Sequence, residues 1–148
     1  MPEGGAVASE LAYAGDVDPL GTWKALGEDQ GAVLVDVRTD AEWRFVGLPD
    51  LSSLGKQVAL VPWQGYPDMS LNAGFVEQVR AAGISETQSV YLICRSGQRS
   101  RDAAIALTAA GFARCHNVAE GFEGPMDDEA HRGRVSGWKV RGLPWRQS

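Results

Sequence analysis

The amino-acid sequence predicts an α/β domain in which helices cover a parallel β-sheet. The first observation is a set of short, nearly continuous apolar runs rich in β-branched residues, which is typical of strands buried on both faces. The second is that stretches with apolar residues at helical spacing separate these runs. The third is the length of 148 residues, with 44% apolar residues, which fits one globular domain. Residues 1–10 are interpreted as a flexible tail and residues 11–148 as the domain.

The beginning of the domain predicts a short strand followed by a helix. The sequence Leu11-Ala12-Tyr13 is a candidate first strand. Asp18 can cap a helix that has Pro19 in its first turn, because an Asp side chain accepts from free backbone N–H groups there. Gly27 is expected to end this helix.

Four further strands and two further helices are expected along the rest of the chain. The apolar runs that predict strands span residues 32–37, 58–61, 89–93 and 115–118. The stretches that predict helices span residues 72–82 and 99–110, and a glycine follows each of them. The C-terminal segment 137–145 is expected to be rich in turns and to pack Trp138 and Trp145 onto the domain.

Charge and cysteine content narrow the classes of function. With 14 Lys and Arg against 19 Asp and Glu, the net charge is −5, which disfavours binding to nucleic acid or to an anionic membrane. No apolar run approaches the roughly 18 residues of a membrane helix, and residues 1–15 lack a secretory signal pattern. Two cysteines are too few for a disulfide scaffold, so a cytoplasmic location is predicted. His116 and His131 lack metal-ligand spacing, so no metal site is expected.

The strongest functional signal is Cys94, which directly follows the predicted strand 89–93 and precedes a predicted helix. In open parallel sheets, ligands bind beyond the carboxyl ends of the strands. Gly97 allows a tight turn in which backbone N–H groups face the sulfur, and Arg95 and Arg99 add positive charge. These groups favour the thiolate, which is the nucleophilic form of cysteine. The alternative is that Cys94 is only a buried apolar residue, which its charged neighbours explain poorly.

The loop after Cys94 is interpreted as the substrate-binding loop around a catalytic cysteine. Arg95 is expected to contact an anionic substrate, because it follows the cysteine directly. The other residues of the loop are expected to contribute mainly backbone amides. They are Ser96, Gly97, Gln98, Arg99 and Ser100.

Three charged residues at the end of the strand predicted at 32–37 and just after it are expected to support this loop without taking part in the chemistry. They are Asp36, Arg38 and Glu42. Asp36 or Glu42 can pair with Arg99 and hold its side chain inward. The alternative is a surface ion pair, which would contribute little to stability.

Three other residues have two interpretations each. Trp63 and Tyr66 lie in a loop with Gly and Pro, where they either rim the pocket or cover an exposed sheet edge. Cys115 is expected to be an inert core thiol. The alternative for Cys115 is a resolving role, in which it forms a disulfide with a persulfidated Cys94.

Four stretches of the sequence together resemble the rhodanese family of sulfurtransferases, and they occur in the family's order. They are Val35-Asp36-Val37-Arg38 with Ala41-Glu42-Trp43, Cys94-Arg95-Ser96-Gly97-Gln98-Arg99-Ser100, Asn117-Val118-Ala119-Glu120-Gly121-Phe122, and Gly137-Trp138 with Gly142-Leu143-Pro144. The resemblance implies a three-layer domain with a five-stranded parallel sheet flanked by helices on both faces. It also implies a persulfide on Cys94, which receives sulfur from a small anionic donor such as thiosulfate. Cyanide or a thiol, including a protein thiol, then accepts that sulfur, and no metal or organic cofactor is implied.

The sequence departs from the family at two places and leaves alternative functions open. The stretch Val46-Gly47-Leu48-Pro49 lacks the histidine common in the family, and the segment 50–71 is longer than its minimal form. Four residues separate Cys94 from Arg99, whereas the related dual-specificity phosphatases have five, and the smaller ring suits a single sulfur. The alternatives are a Cys-dependent phosphatase or arsenate reductase, and a non-catalytic rhodanese-like module that carries sulfur or docks a partner.

Overall fold

Five parallel strands form the central sheet of the protein, which was studied as a computed structural model. The structure describes residues 12–65, 70–126, 128–129, 131–132 and 135–147. The predicted tail, residues 1–10, lies outside the described residues, as do Leu11 and Tyr66.

All strand pairings in the central sheet are parallel, and the strand order is β1-β6-β5-β2-β4. The strands of this sheet are β1 (Gly15–Val17), β2 (Val33–Asp36), β4 (Ala59–Leu60), β5 (Ser89–Ile93) and β6 (Arg114–Val118). A separate antiparallel pair joins β3 (Leu48–Pro49) to β7 (Trp145–Arg146). The five-stranded parallel sheet implied by the family resemblance is therefore confirmed.

In the described part of the chain, four helices and one short 3-10 turn connect the strands. They are α1 (Pro19–Glu28), α2 (Asp40–Phe45), α3 (Phe75–Ala81), α4 (Gln98–Ala109) and the 3-10 turn Ser52–Leu54. The predicted cap of α1 is confirmed, since Asp18 Oδ1 accepts from the backbone N–H of Gly21 at 2.7 Å. Among the described residues, no helix is long and apolar enough to cross a lipid bilayer.

The structure corrects two of the predicted elements and adds a helix that was not predicted. The first strand is not at residues 11–13 but at Gly15–Val17, where the backbone pairs with β6. Helix α3 begins at Phe75 instead of residue 72, because the Asn72 side chain accepts from Gly74 N and forms a turn before it. Helix α2 was not predicted, although Thr39 and Glu42 form a capping box at its start.

The core consists of two apolar clusters, one on each face of the sheet. Along β5, Val90 and Leu92 belong to one cluster, and Tyr91 and Ile93 belong to the other. The first cluster includes Phe75 and Val79 of α3 and Leu107 of α4. The second includes Leu26 of α1, Phe122 and Trp138. This distribution confirms the predicted three-layer arrangement.

The C-terminal segment closes the second face of the sheet. Trp138 is fully buried, its indole Nε1–H donates to Pro144 O at 2.7 Å, and its ring packs edge-on against Trp23 at 5.9 Å. Trp145 is partly exposed and packs edge-on against Phe122 at 6.2 Å. Both tryptophans therefore anchor the end of the chain, as the sequence predicts.

Candidate functional site

Cys94 lies at the carboxyl end of β5, immediately before the loop that leads into α4. Its sulfur accepts hydrogen bonds from Gly97 N at 3.1 Å and Ser100 N at 3.3 Å, and the Ser100 hydroxyl lies 3.2 Å from it. Since these donors face the sulfur, the site can stabilise an anionic sulfur atom.

The tight curl of the loop depends on Gly97, which has a backbone φ of 110°. A Cβ atom at this position would overlap the carbonyl oxygen of Ala119. Glycine therefore meets both the conformational and the steric requirement for the inward-facing N–H group. Among the described residues, the N–H donors to the sulfur are those of Gly97 and Ser100, fewer than the ring of amides that the sequence suggested.

The turn that follows β6 braces the loop through the main chain. The N–H of Phe122 donates to Cys94 O at 2.8 Å, and the N–H groups of Glu123 and Gly124 donate to Arg95 O at 3.0 and 3.1 Å. At Gly121, a Cβ atom would collide with the backbone of Arg95. The turn and the loop are thus in close backbone contact. This explains why the stretch after β6 is part of the site, a role that residue-by-residue reasoning did not assign.

A cavity of about 320 Å³ opens onto the cysteine. It is lined by Glu42, Gln64, Cys94, Arg95, Ser96, Gln98 and Arg99. Cys94 itself is only 1% exposed, so reagents reach its sulfur through this cavity. Gln64 was not predicted as a site residue, because it lies on a loop without a sequence signal and reaches the cavity only through the fold.

Glu42 and Arg99 form a bidentate ion pair on one wall of the cavity. Arg99 Nη1 donates to Glu42 Oε1 at 2.7 Å and Nη2 donates to Oε2 at 2.9 Å. Burial opposes ionisation of Glu42, but hydrogen bonds and charge from Arg99 outweigh burial and lower the pKa of this carboxyl. The Arg99 and Glu42 side chains are 16% and 19% exposed, which excludes the alternative of a surface pair. Of the two predicted partners for Arg99, the structure selects Glu42.

Asp36 pairs with Arg38 and not with Arg99. Arg38 Nη2 donates to Asp36 Oδ2 at 2.7 Å and to Gly47 O at 2.7 Å, and both charged side chains are fully buried. The guanidinium also lies 4.3 Å from the centre of the Phe122 ring. Since Phe122 N binds Cys94 O, this buried pair supports the loop through Phe122.

Asn117 is a buried polar residue that sequence reasoning did not single out. It is 3% exposed, and its Oδ1 accepts from Ser100 Oγ at 2.5 Å. Its Nδ2 donates to Asp16 Oδ1 at 3.1 Å, which fixes the orientation of the amide. The Ser100 hydroxyl has one hydrogen, which it can donate either to Asn117 Oδ1 or to the Cys94 sulfur, so Asn117 holds this hydroxyl beside the sulfur and competes with it for the hydrogen. A polar residue within a buried strand was the available signal.

Of the two predicted rim residues, the structure describes only Trp63, and Trp63 does not line the cavity. Trp63 packs edge-on against Phe75 at 5.2 Å and is not among the residues lining the cavity. Its packing against the apolar cluster below α3 agrees with the sheet-covering alternative. Tyr66 lies outside the described residues, so its proposed place at the rim stays a prediction.

Cys115 occupies the interior of the sheet. The strand register places it beside Val90, four residues before Cys94, and this corresponds to roughly 13 Å along the strand. A disulfide requires Cα atoms within about 7 Å, so a resolving role for Cys115 does not fit this fold. Burial raises the pKa of the Cys115 thiol to about 11, which agrees with an inert core thiol.

Residues 18–148 of the chain match the protein-family model described as "STR4 middle domain". An uncharacterised protein of Rickettsia conorii is 37% identical over 117 residues, which cover 79% of this chain and 85% of the relative. The rhodanese-like domain-containing protein 4 of Arabidopsis thaliana is 27% identical over 81% of this chain and 23% of its own length. A sulfurtransferase of Allochromatium vinosum is 26% identical over 87% of this chain and 92% of the relative.

Solved structures agree with the family-model match. The crystal structure of Rv0390 from M. tuberculosis superposes with a TM-score of 0.83 and 48% identity, over 92% of this chain and 99% of that chain. The polysulfide-sulfur transferase of Wolinella succinogenes superposes with a TM-score of 0.62 and 20% identity, over 95% of this chain and 83% of that one, which shows the shared fold. The chain therefore belongs to the STR4 middle domain family, and it is a rhodanese-like domain.

Proposed function

We propose that this protein is a sulfurtransferase that moves a sulfane sulfur through a persulfide on Cys94. The donor is a small anionic sulfur compound such as thiosulfate, and the acceptor is cyanide or a thiol. The observation that carries the proposal is the convergence of two backbone N–H donors and the Ser100 hydroxyl on the Cys94 sulfur at the floor of a cavity. A sulfurtransferase among the relatives of the chain supports the same reaction class.

In the first step, the Cys94 thiolate attacks the outer sulfur of thiosulfate. A bond forms between Cys94 Sγ and that sulfur, and the sulfur–sulfur bond of the donor breaks. Sulfite leaves with the electron pair, so the three negative charges of the reactants are kept by sulfite and the persulfide anion. The N–H groups of Gly97 and Ser100 stabilise the sulfur before attack.

In the second step, the acceptor removes the outer sulfur. Cyanide attacks the terminal sulfur of the persulfide, a carbon–sulfur bond forms, and the sulfur–sulfur bond to Cys94 breaks. The electron pair returns to Cys94 Sγ, which regenerates the thiolate, and thiocyanate leaves. The atoms and charges balance in both steps, so the proposed cycle requires no metal or organic cofactor.

The charge of the cavity favours this reaction over phosphoryl transfer. A phosphatase must hold several charged oxygens at once, whereas Glu42 already occupies both terminal nitrogens of Arg99. Arg95 is exposed, and its side chain forms no ion pair with another described residue. The thiolate attacks the outer sulfur of thiosulfate, which carries no oxygens, whereas the phosphorus of a phosphate ester brings its charged oxygens into the loop. The cytoplasmic location and the absence of nucleic-acid and membrane partners stay predictions from composition.

The proposal is tested by mass spectrometry of the intact protein after treatment with thiosulfate. We expect a gain of one sulfur atom that maps to Cys94 and that cyanide reverses with release of thiocyanate. The Cys94→Ser variant should lose this gain, and the Cys115→Ser variant should keep it. No gain in the unmodified protein, or equal loss in both variants, would overturn the proposal. Hydrolysis of a phosphate ester without sulfur loading would favour a phosphatase instead.

A further inference from the structure

The wall of the cavity contains three charged side chains, and two of them neutralise each other. Glu42 and Arg99 are joined by two hydrogen bonds of 2.7 and 2.9 Å. Arg95 is the third, and among the described residues no side chain is paired with it. The described residues that line the cavity therefore carry a net charge of one positive unit before the charge of the thiolate is counted.

This net positive charge affects the binding of sulfur donors differently according to their charge. Thiosulfate brings two negative charges to a site that already contains the Cys94 thiolate. A persulfide of an organic thiol brings one negative charge. Because the cavity is partly shielded from water, one additional positive charge several ångströms from the donor would change binding of a dianion more than binding of a monoanion.

We infer that Glu42 is a specificity-determining residue that reduces the use of dianionic sulfur donors and favours monoanionic organic persulfides. This inference rests on the proposed sulfurtransferase function and names its substrate class. Glu42 acts by withdrawing the charge of Arg99 from the cavity. The amide side chains of Gln64 and Gln98, which also line the cavity, supply neutral hydrogen-bonding groups for the organic carrier.

The reaction with a persulfide forms and breaks the same kinds of bond as the reaction with thiosulfate. The Cys94 thiolate attacks the terminal sulfur of the donor, and the sulfur–sulfur bond of the donor breaks. The carrier thiolate leaves with the electron pair, and the persulfide forms on Cys94. The two negative charges of the reactants are kept by the new persulfide anion and the carrier thiolate, which takes a proton from water.

The test measures the rate of sulfur loading on Cys94 with two donors and without an acceptor. The donors are thiosulfate and the persulfide of N-acetylcysteine methyl ester, which has a single negative charge. In Glu42→Gln, we expect loading from thiosulfate to rise about tenfold and loading from the persulfide to change less than about twofold. Glutamine retains an oxygen that can accept from Thr39 N, so the start of α2 is preserved.

A second variant tests the same inference in the opposite direction. Arg99→Gln leaves Glu42 uncompensated, so the ratio of thiosulfate loading to persulfide loading should fall about tenfold. Glu42→Asp keeps the negative charge, and its ratio should stay near that of the unmodified protein. The matched control is Glu77→Gln, which removes an exposed glutamate that pairs with Arg80 and does not line the cavity.

The outcomes separate this inference from the proposed function. Loading from both donors with an unchanged ratio in Glu42→Gln or in Arg99→Gln would overturn the inference and leave the proposed function intact. An equal shift in the Glu77→Gln control would also overturn it, because the effect would then come from net charge alone. Loading from neither donor in the unmodified protein would overturn the proposed function and this inference together.

Discussion

The two cysteines of the chain are almost equally buried, yet their surroundings differ. Cys94 is 1% exposed and Cys115 is 0% exposed. Cys94 sits where a strand ends, and two backbone N–H donors, the Ser100 hydroxyl and a cavity face its sulfur. Cys115 sits within a strand, where burial raises its pKa and the hydroxyl of Thr108 only partly opposes this effect. The comparison teaches that two thiols with nearly the same exposed fraction can have different surroundings, and we expect the place of a thiol in the sheet to decide whether it reacts.

The largest expected difference is in alkylation. At pH 7, a thiol with a pKa of about 11 is ionised in roughly one molecule in ten thousand, and a reagent reaches the fully buried Cys115 only when the fold opens, so Cys115 should react at least about a thousandfold more slowly than Cys94. Its rate should rise about tenfold for each pH unit until the pH approaches that pKa. Peptide mapping after timed treatment with iodoacetamide measures both rates. Similar labelling rates for the two cysteines in the folded protein would contradict the expected difference in their reactivity.

The next largest effect is expected when the loop around Cys94 is distorted. Gly97→Ala places a side chain against Ala119 O at a positive φ, so sulfur transfer should fall at least about a hundredfold. The free energy of unfolding should fall by about 2–4 kcal/mol. Assays of thiocyanate formation and thermal unfolding measure these two quantities.

Gly55→Ala is the matched control for this change. Gly55 also has a positive φ, 72°, but a Cβ atom there meets nothing within 4 Å. This variant should lose about 1 kcal/mol of stability and keep its activity. Equal losses of activity in both variants would show that strain at any glycine, and not the geometry at Cys94, controls the reaction.

A smaller effect is expected when each cysteine loses its hydroxyl partner. Ser100→Ala removes the hydroxyl beside the Cys94 sulfur and keeps the backbone donor, so sulfur loading should slow about tenfold. Thr108→Val removes the hydroxyl that contacts Cys115, and loading should not change. Single-turnover loading from thiosulfate compares the two variants. A larger defect in Thr108→Val would contradict the assignment of Cys115 as an inert residue.

The smallest expected effect is on the pH dependence of stability, through the ion pair between Glu42 and Arg99 beside Cys94. The folded-state pKa of Glu42 is lowered from 4.5, so its contribution to stability is present above that pH and is lost as the pH falls through the lower, folded-state value. We expect this contribution to be below about 1 kcal/mol, because the pair is partly screened by water. Urea unfolding at pH 7 and near pH 3 measures it, and Glu42→Gln should show a smaller loss of stability on acidification. The same loss in both proteins would assign the effect to other carboxyl groups.

Much of the fold was predictable because its strands are buried on both faces. The run 89–93 was predicted with its correct bounds, since a continuous apolar run in a parallel sheet has few alternatives. Strand β1 was misplaced because its sequence, Gly-Asp-Val, has no apolar run, and only pairing with β6 makes it a strand. Helix α2 was missed because it is only six residues long and none of its residues is buried.

The candidate site was predictable where its residues adjoin in sequence. Cys94 and its loop follow one another, so the local pattern contained the signal. Asn117, Gln64 and the turn after β6 reach the site only because the sheet brings distant segments together. The pairing of Glu42 with Arg99 was one of two alternatives, and only the direction of the side chains from β2 and α2 distinguishes them.

The hydrogen bonds from Phe122, Glu123 and Gly124 to the loop have a consequence for the synthesis of the protein. The loop around Cys94 needs a turn that lies about thirty residues further along the chain. Two later segments hold that turn in place: Trp138 N donates to Gly121 O, and Trp145 of β7 packs against Phe122. A growing polypeptide on the ribosome therefore cannot complete the surroundings of the Cys94 sulfur until residue 138 and β7 have emerged.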